Sequence, residues 1–266
     1  MLRKRVVTAL WGIALLMAAA WFSRPEYAFP FFTILAAIWG ALAVFEFYRM
    51  TGVARAWPLT GFGIVWTVLF ILNPHLGFPI PLVLTSGVVL SLILLVLSPQ
   101  REGAFHSWAW MVAGVLYAGW LLGYLVALRL EAGRGWVFLA LLATFGSDTA
   151  AFFVGRALGR HKLAPHISPG KTWEGAIAGV FGAIIVTMVV AVLFHLSLSY
   201  GQMIILGIAV SVFGQFGDLA ESLLKRNVGA KDSGNMMPGH GGLLDRMDSV
   251  VLAGVAVYLY YIFVVP

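Results

Sequence analysis

Cysteine is absent from the 266 residues. That excludes a disulfide framework, a thiolate-ligated zinc and a thiol nucleophile. Charge is scarce as well: 11% of the residues are Asp, Glu, Lys or Arg, against roughly a quarter in soluble domains. The basic residues form no continuous stripe, so the formal net charge of +6 does not describe a nucleic-acid surface. They lie in short loops between apolar runs, where they would set membrane topology and meet anionic phosphates. Internal repeats and low-complexity tracts are also missing, which argues against an inverted-repeat transporter with matched broken helices.

Apolar material fills the space. Hydrophobic residues make up 61% of the chain and mean hydropathy is +0.93, too much for a single anchor. The reading is one all-α, polytopic membrane domain over residues 1–266. A bilayer core of ~30 Å needs about 20 helical residues. On that ruler about nine spans are expected, at 6–22, 28–45, 58–72, 78–97, 107–128, 136–154, 175–196, 202–217 and 249–265. The third is short and ends at Asn73-Pro74, as a tilted or re-entrant segment would. A basic cluster, Arg3-Lys4-Arg5, precedes the first run, and Ala18-Ala19-Ala20 resembles a signal cleavage site. The run is long for a signal and eight more follow, so it is expected to stay as a span.

Alternating these spans from a cytoplasmic N-terminus puts 14 of the 17 Lys and Arg on the cytoplasmic side. The outside segments hold Arg24, Arg129 and Arg134. Such asymmetry is what the positive-inside rule expects. Acidic residues are unevenly spread too: seven of 11 lie from Asp148 onward. Residues 1–134 therefore read as mainly scaffold, and 135–266 as a catalytic half with two cytoplasmic loops.

The first loop leads through Gly155, Arg156, His161 and Lys162 to SPGKTWEG at 168–175. Ser168, Pro169 and Gly170 are expected to form a turn whose amides face an anion, with Lys171 adding a point charge. Thr172 could cap a helix entering at Gly175, and Glu174 lies in that entry. An ordinary basic loop at the lipid surface is the competing reading of this segment.

The second loop runs from Asp218 to Asp248. Asp218 and Glu221 would share a helix face, with Ser222, Lys225 and Arg226 continuing along it. Lys231, Asp232, Ser233 and Gly234 make a polar turn, and Pro238 to Gly242 is a Gly-rich approach containing His240. Asp245 and Asp248, three apart with Arg246 between them, open the last span. Hard cations such as Mg²⁺ favour carboxylate oxygens, few protein ligands and substrate phosphates, so Asp218, Asp245 and Asp248 are the expected metal ligands. Interspersed Lys and Arg would hold phosphate oxygens and leaving-group charge. Gly241 and Gly242 would let backbone amides approach a phosphate. A salt-bridged interfacial loop would use the same residue types without chemistry, but acids at a membrane edge are costly enough to favour function. Asp148, within the sixth run, is a further functional candidate on the same ground. His240 reads as a phosphate contact rather than a base, and the tryptophans near span ends suit interfacial belts.

The stretch 222–248, SLLKR through KDSG to PGHGGLLDRMD, resembles the hallmark of the phosphatidate cytidylyltransferase (CDP-diacylglycerol synthase) family. SPGKTWEG, and Asp148 ahead of Gly155-Arg156, resemble it as well; the N-terminal half is similar in hydropathy and layout. Met237 departs from the pattern, where Leu, Ile or Phe is expected. The resemblance implies transfer of CMP from CTP to phosphatidate, giving CDP-diacylglycerol and pyrophosphate in phospholipid biosynthesis. It further implies Mg²⁺, with K⁺ as a second cation, and a homodimer in the bacterial cytoplasmic (inner) membrane. Carried onto this sequence, the catalytic residues would be Asp218, Lys225, Arg226, Asp245, Arg246 and Asp248. The substrate-binding set would be Asp148, Ser168, Lys171, Thr172, Glu174, Ser222, Lys231, Asp232, His240, Gly241 and Gly242.

Two other readings compete. A CDP-alcohol phosphatidyltransferase would also place Asp residues at helix ends, but its Asp-Gly-led run with an Asp-x3-Asp ending is missing. An ion or phosphate transporter would explain an acid within a span and basic loops on one face. The lopsided acids favour an enzyme.

Overall fold

The structure is a computed structural model that describes residues 2–23, 30–98, 102–234, 236 and 241–265, with side chains from Trp11 onward. It is an all-α polytopic membrane protein. Seven helices are long and apolar enough to cross a membrane, and two shorter apolar helices, Trp11–Phe22 and Asp248–Val264, accompany them among the described residues. Each span expected from the sequence falls on one of these helices.

The chain divides into two compact units, Met1–Val126 with Ala230–Asp245, and Ala127–Gly229 with Arg246–Pro266. The later segment 230–245 belongs with the first 126 residues.

In the first unit, α1 (Leu2–Phe22) and α2 (Phe31–Thr51) are followed by α3 (Trp57–Leu76) and α4 (Ile80–Leu97). Next comes α5 (Ala104–Val115), which continues through a π-helical segment, Leu116–Trp120, into α6 (Leu121–Glu131), of which residues up to Val126 belong to this unit. Aromatic rings pack on glycines here. Trp66 covers Gly87, and Tyr48 covers Gly63 and Gly114. Gly119 and Gly123 bring the π-helical segment and α6 against the backbone of Thr67 and Phe70. Small residues at such contacts let helices approach where lipid gives no hydrophobic drive for association. The buried Tyr48 hydroxyl donates to the Met111 carbonyl at 3.0 Å, and the Trp66 indole to the Val83 carbonyl at 3.2 Å.

The third span is longer than the sequence suggested. Rather than stopping at Asn73-Pro74, α3 continues to Leu76, with Pro74 inside its last turn. Proline's fixed φ is helical, and near a C-terminus its missing N–H costs one intrahelical bond. The Gly77 amide donates to the Asn73 carbonyl at 2.9 Å with φ at +69°, a left-handed cap that glycine adopts without strain.

The second unit holds α7 (Arg134–Leu158), strands β1 (Lys162–Ala164) and β2 (Ser168–Thr172), α8 (Trp173–Leu193), α9 (Tyr200–Asn227) and α10 (Asp248–Val264). A small-residue seam joins α7 to α8. A Cβ on Gly182 would meet Ala150 Cβ at 2.7 Å, and one on Gly179 would meet Ser147 Oγ at 3.0 Å. Along α9, Gly214 and Gly217 face the Ser249 and Asp248 backbone of α10, and a Cβ on Gly217 would collide with the Asp248 carbonyl. The α9 N-terminus is a capping box of Ser199 with Gln202, which satisfies two otherwise orphaned donors.

Candidate active site

The turn expected at Ser168-Pro169-Gly170 is instead strand β2, paired antiparallel with β1. The reversal lies just before it, at 165–167, where the Ile167 amide donates to the Ala164 carbonyl at 3.2 Å. Proline's φ is compatible with an edge strand, and a two-stranded ribbon offers such an edge. Thr172 ends β2 and caps α8: its hydroxyl oxygen accepts from the Gly175 amide at 3.2 Å. The helix therefore begins at Trp173, two residues earlier than the sequence indicated. Glu174, in the first turn, faces His161. It accepts from the His161 amide at 3.2 Å, and its Oε1 lies 2.7 Å from His161 Nδ1. That contact ties the start of the hairpin to the helix that follows it.

β2 delivers Lys171 to α9. Lys171 Nζ stands 2.9 Å from Asp218 Oδ2 and 3.4 Å from the Gln215 carbonyl, to which it donates. The other oxygen of Asp218 accepts from the Ser222 hydroxyl one helical turn on, at 3.3 Å. Asp218 is within Coulombic reach of Asp148 on α7 and of Asp248 at the start of α10, and Asp148 acts on Asp248 as well. Lys171 acts on Asp148 and Lys225 on Asp248. Three carboxylates from three helices thus share one neighbourhood with two ammonium groups. Asp248 Oδ1 accepts from the Ser249 amide at 2.7 Å, and the buried Glu221 pairs with Lys225 at 3.3 Å. Arg226 Nε donates to the Ile167 carbonyl at 3.4 Å, holding the hairpin turn. Arg246 is exposed.

The first unit holds the remainder of the sequence-predicted set. Lys231 and Asp232 are exposed. Asp245 closes a tight loop, with Oδ2 accepting from the Ser233 amide and hydroxyl, both at 3.0 Å, and from the Gly242 amide at 2.8 Å. Gly241 has φ at +81°, where a Cβ would lie 2.9 Å from Asp245 Oδ2. Gly242 thus spends its amide on Asp245. His240 and Met237 lie outside the described residues.

Sequence reasoning missed several participants. Glu46 on α2 is 2% exposed, and its Oε2 accepts from the Leu244 amide at 3.0 Å and the Ser233 hydroxyl at 3.4 Å. Its signal in the sequence was an acid at the end of an apolar run, indistinguishable from an interfacial anchor. Gln215 donates to the Ala176 carbonyl at 3.1 Å and the Ser211 hydroxyl at 2.9 Å, and Ser211 in turn meets Ser147 at 2.8 Å. These links fix α7, α8 and α9 around Asp148 and Asp218. The signal available was the recurrence of Ser211, Gln215, Asp218 and Ser222 at helical spacing in the second half of α9.

Comparison with known proteins adds chemistry to this geometry. A family model described as the cytidylyltransferase family matches residues 3–264. A Bacillus subtilis protein named phosphatidate cytidylyltransferase is 34% identical over 240 residues, covering 87% of this chain and 88% of its own length. A Brucella suis protein of the same name is 44% identical over 153 residues, 57% of this chain and 56% of its own. One from Staphylococcus saprophyticus is 42% identical over 169 residues, covering 62% and 64%.

Proposed function

The chain belongs to the cytidylyltransferase family, and on that premise we propose that it transfers CMP from CTP to phosphatidate, releasing pyrophosphate. The observation that carries this reading is the Lys171–Asp218 pair set among the carboxylates of Asp148 and Asp248. In the reaction an oxygen of the phosphatidate phosphate attacks the α-phosphorus of CTP. The bond to the bridging oxygen breaks, and its electrons leave with pyrophosphate. Both reactants are polyanions, so positioning and charge neutralisation are the protein's main contribution. Lys171, Lys225 and Arg226 would neutralise phosphate oxygens. Ser168, Thr172, Glu174 and Ser222 would shape the approach, Lys231, Asp232, His240 and Gly241 would accompany the nucleotide phosphates, and Gly242 would act through Asp245, to which its amide donates. Arg246 would steer anions from its exposed position.

Hard carboxylate oxygens fit Mg²⁺, which takes one or two protein ligands and completes its shell with water and substrate phosphates. Among the described residues no three acids or histidines form a ready ion cage, and the fit is to an ion that substrate helps to hold. Asp218 and Asp248 would bind it beside Asp148, and Asp245 is the further carboxylate that the motif implies. When bound, the ion supplies Lewis-acid neutralisation of the α-phosphate and of the departing pyrophosphate. K⁺ is the proposed second cation. A homodimer in the bacterial cytoplasmic membrane, with the site facing the cytoplasm, would let lipid enter from the bilayer and CTP from water.

Purified protein in detergent is expected to form labelled CDP-diacylglycerol from labelled CTP when both phosphatidate and Mg²⁺ are present. Absence of lipid-linked CMP under those conditions would sink the reading. Transfer to another lipid phosphate in preference to phosphatidate would move the activity to a related acceptor.

A further inference from the structure

A carboxylate near the end of a membrane helix has every opportunity to reach water, yet Glu46 on α2 is 2% exposed. Burying an ionisable group is costly unless hydrogen bonds compensate. The compensation here is partial. Oε2 accepts from the Leu244 amide at 3.0 Å and the Ser233 hydroxyl at 3.4 Å. Oε1 has no hydrogen-bond partner among the described residues. An apolar side chain of similar volume would fill the same space at lower cost, so packing does not explain an acid here.

The donors that Glu46 engages are the ones that build the Asp245 loop. Ser233 gives its amide and its hydroxyl to Asp245 Oδ2, and the hydroxyl also faces Glu46 Oε2. A serine hydroxyl has a single proton, so the two carboxylates share one donor, at 3.0 Å from Asp245 Oδ2 and 3.4 Å from Glu46 Oε2. Leu244, whose amide Glu46 fixes, directly precedes Asp245. Two glycines keep the arrangement tight: a Cβ on Gly234 would come to 2.5 Å of Glu46 Oε1, and one on Gly242 to 2.6 Å of Oε2.

We propose that Glu46 is a positioning residue, which sets the Asp245 carboxylate through the Ser233 hydroxyl and the Leu244 amide. This rests on Asp245 serving the cation chemistry under the proposed function. Groups that orient a metal-binding carboxylate matter to cation affinity nearly as much as the ligand does.

The test uses the full chain in detergent and two readouts that need no turnover: hydrogen exchange of the amides at 233, 242 and 244, and Mn²⁺ affinity by electron paramagnetic resonance. Glu46→Ala is expected to speed exchange of those amides at least tenfold and to weaken Mn²⁺ binding about 10–100-fold. Glu46→Gln keeps an acceptor oxygen for both donors, so exchange and Mn²⁺ affinity should stay within about threefold of the unaltered protein. Ser233→Ala, which leaves Glu46 in place, should shift both readouts in the same direction and decides the matter if Glu46→Ala fails to fold. Unchanged Mn²⁺ affinity in Glu46→Ala and Ser233→Ala would overturn the proposal, even if exchange quickened. So would equal losses in Glu46→Gln and Glu46→Ala. If the unaltered protein made no CDP-diacylglycerol, the proposed function would fall, and these two readouts would still decide the role of Glu46.

Discussion

Lys171 Nζ lies 2.9 Å from Asp218 Oδ2, joining the hairpin strand β2 to helix α9. Their side chains are 21% and 35% exposed, and a pair so open to solvent contributes only about 0–1 kcal/mol to folding. Its consequence should therefore show in catalysis rather than in stability. Lys171→Ala is expected to shift the melting temperature by no more than about 4 °C while lowering kcat/KM for CTP at least about tenfold. Parallel thermal melts and initial rates check this.

Asp218 and Asp248 are the carboxylates proposed to hold Mg²⁺, with Asp245 the third of the motif. Replacing each singly with Asn keeps size and removes charge. Asp218→Asn, Asp245→Asn and Asp248→Asn should each lower kcat by about 100-fold or more with unchanged elution in gel filtration. Rates near normal in all three would overturn the metal assignment. Chelation of Mg²⁺ should abolish turnover in the unaltered protein, and added Mg²⁺ should restore it.

Two glycines make a paired test of the loop. A Cβ on Gly242 would collide with the Ser233 hydroxyl and come to 2.8 Å of the Gly234 amide, whereas Gly201 at the start of α9 has open space around it. Gly242→Ala is expected to destabilise the protein by about 1–3 kcal/mol and to lose most activity. Gly201→Ala should be neutral or stabilising by a few tenths of a kcal/mol, since alanine suits a helix better than glycine. Melting curves with activity assays on both variants decide.

Because the chain has no cysteine, single cysteines can report on topology without background. Gly170→Cys, in β2, is expected to react with a membrane-impermeant maleimide from the cytoplasmic side, and Gly201→Cys from the opposite side. Labelling of both from the same side would refute the proposed orientation.

The helices were legible because each apolar run approaches the length a bilayer demands, and that signal survives almost any packing. Their ends were less so. Pro74 reads as a stop, yet α3 passes through it because Gly77 and Asn73 close the last turn. Ser168-Pro169-Gly170 has turn composition, yet pairing with Lys162–Ala164 makes it a strand. Of the site, the charged residues of 168–174 and 218–248 could be picked out by type and spacing. Glu46 could not, because its importance lies in hydrogen bonds to Ser233 and Leu244, 187 and 198 residues away. No local pattern encodes a contact of that range. Asp148 was visible as an acid in a span, but its two acidic neighbours come from α9 and α10.

The return of residues 230–245 to the unit formed by the first 126 has a consequence for biosynthesis. Glu46 must wait for the Leu244 amide, 198 residues later in the chain, which at about 5–20 residues per second is a delay of roughly 10–40 s. Throughout that interval the nascent protein has inserted its early helices but carries a carboxylate without two of its final donors. A chain stalled or cut before residue 230 would keep it so. The packing around an early helix is thus completed by a segment made 198 residues later.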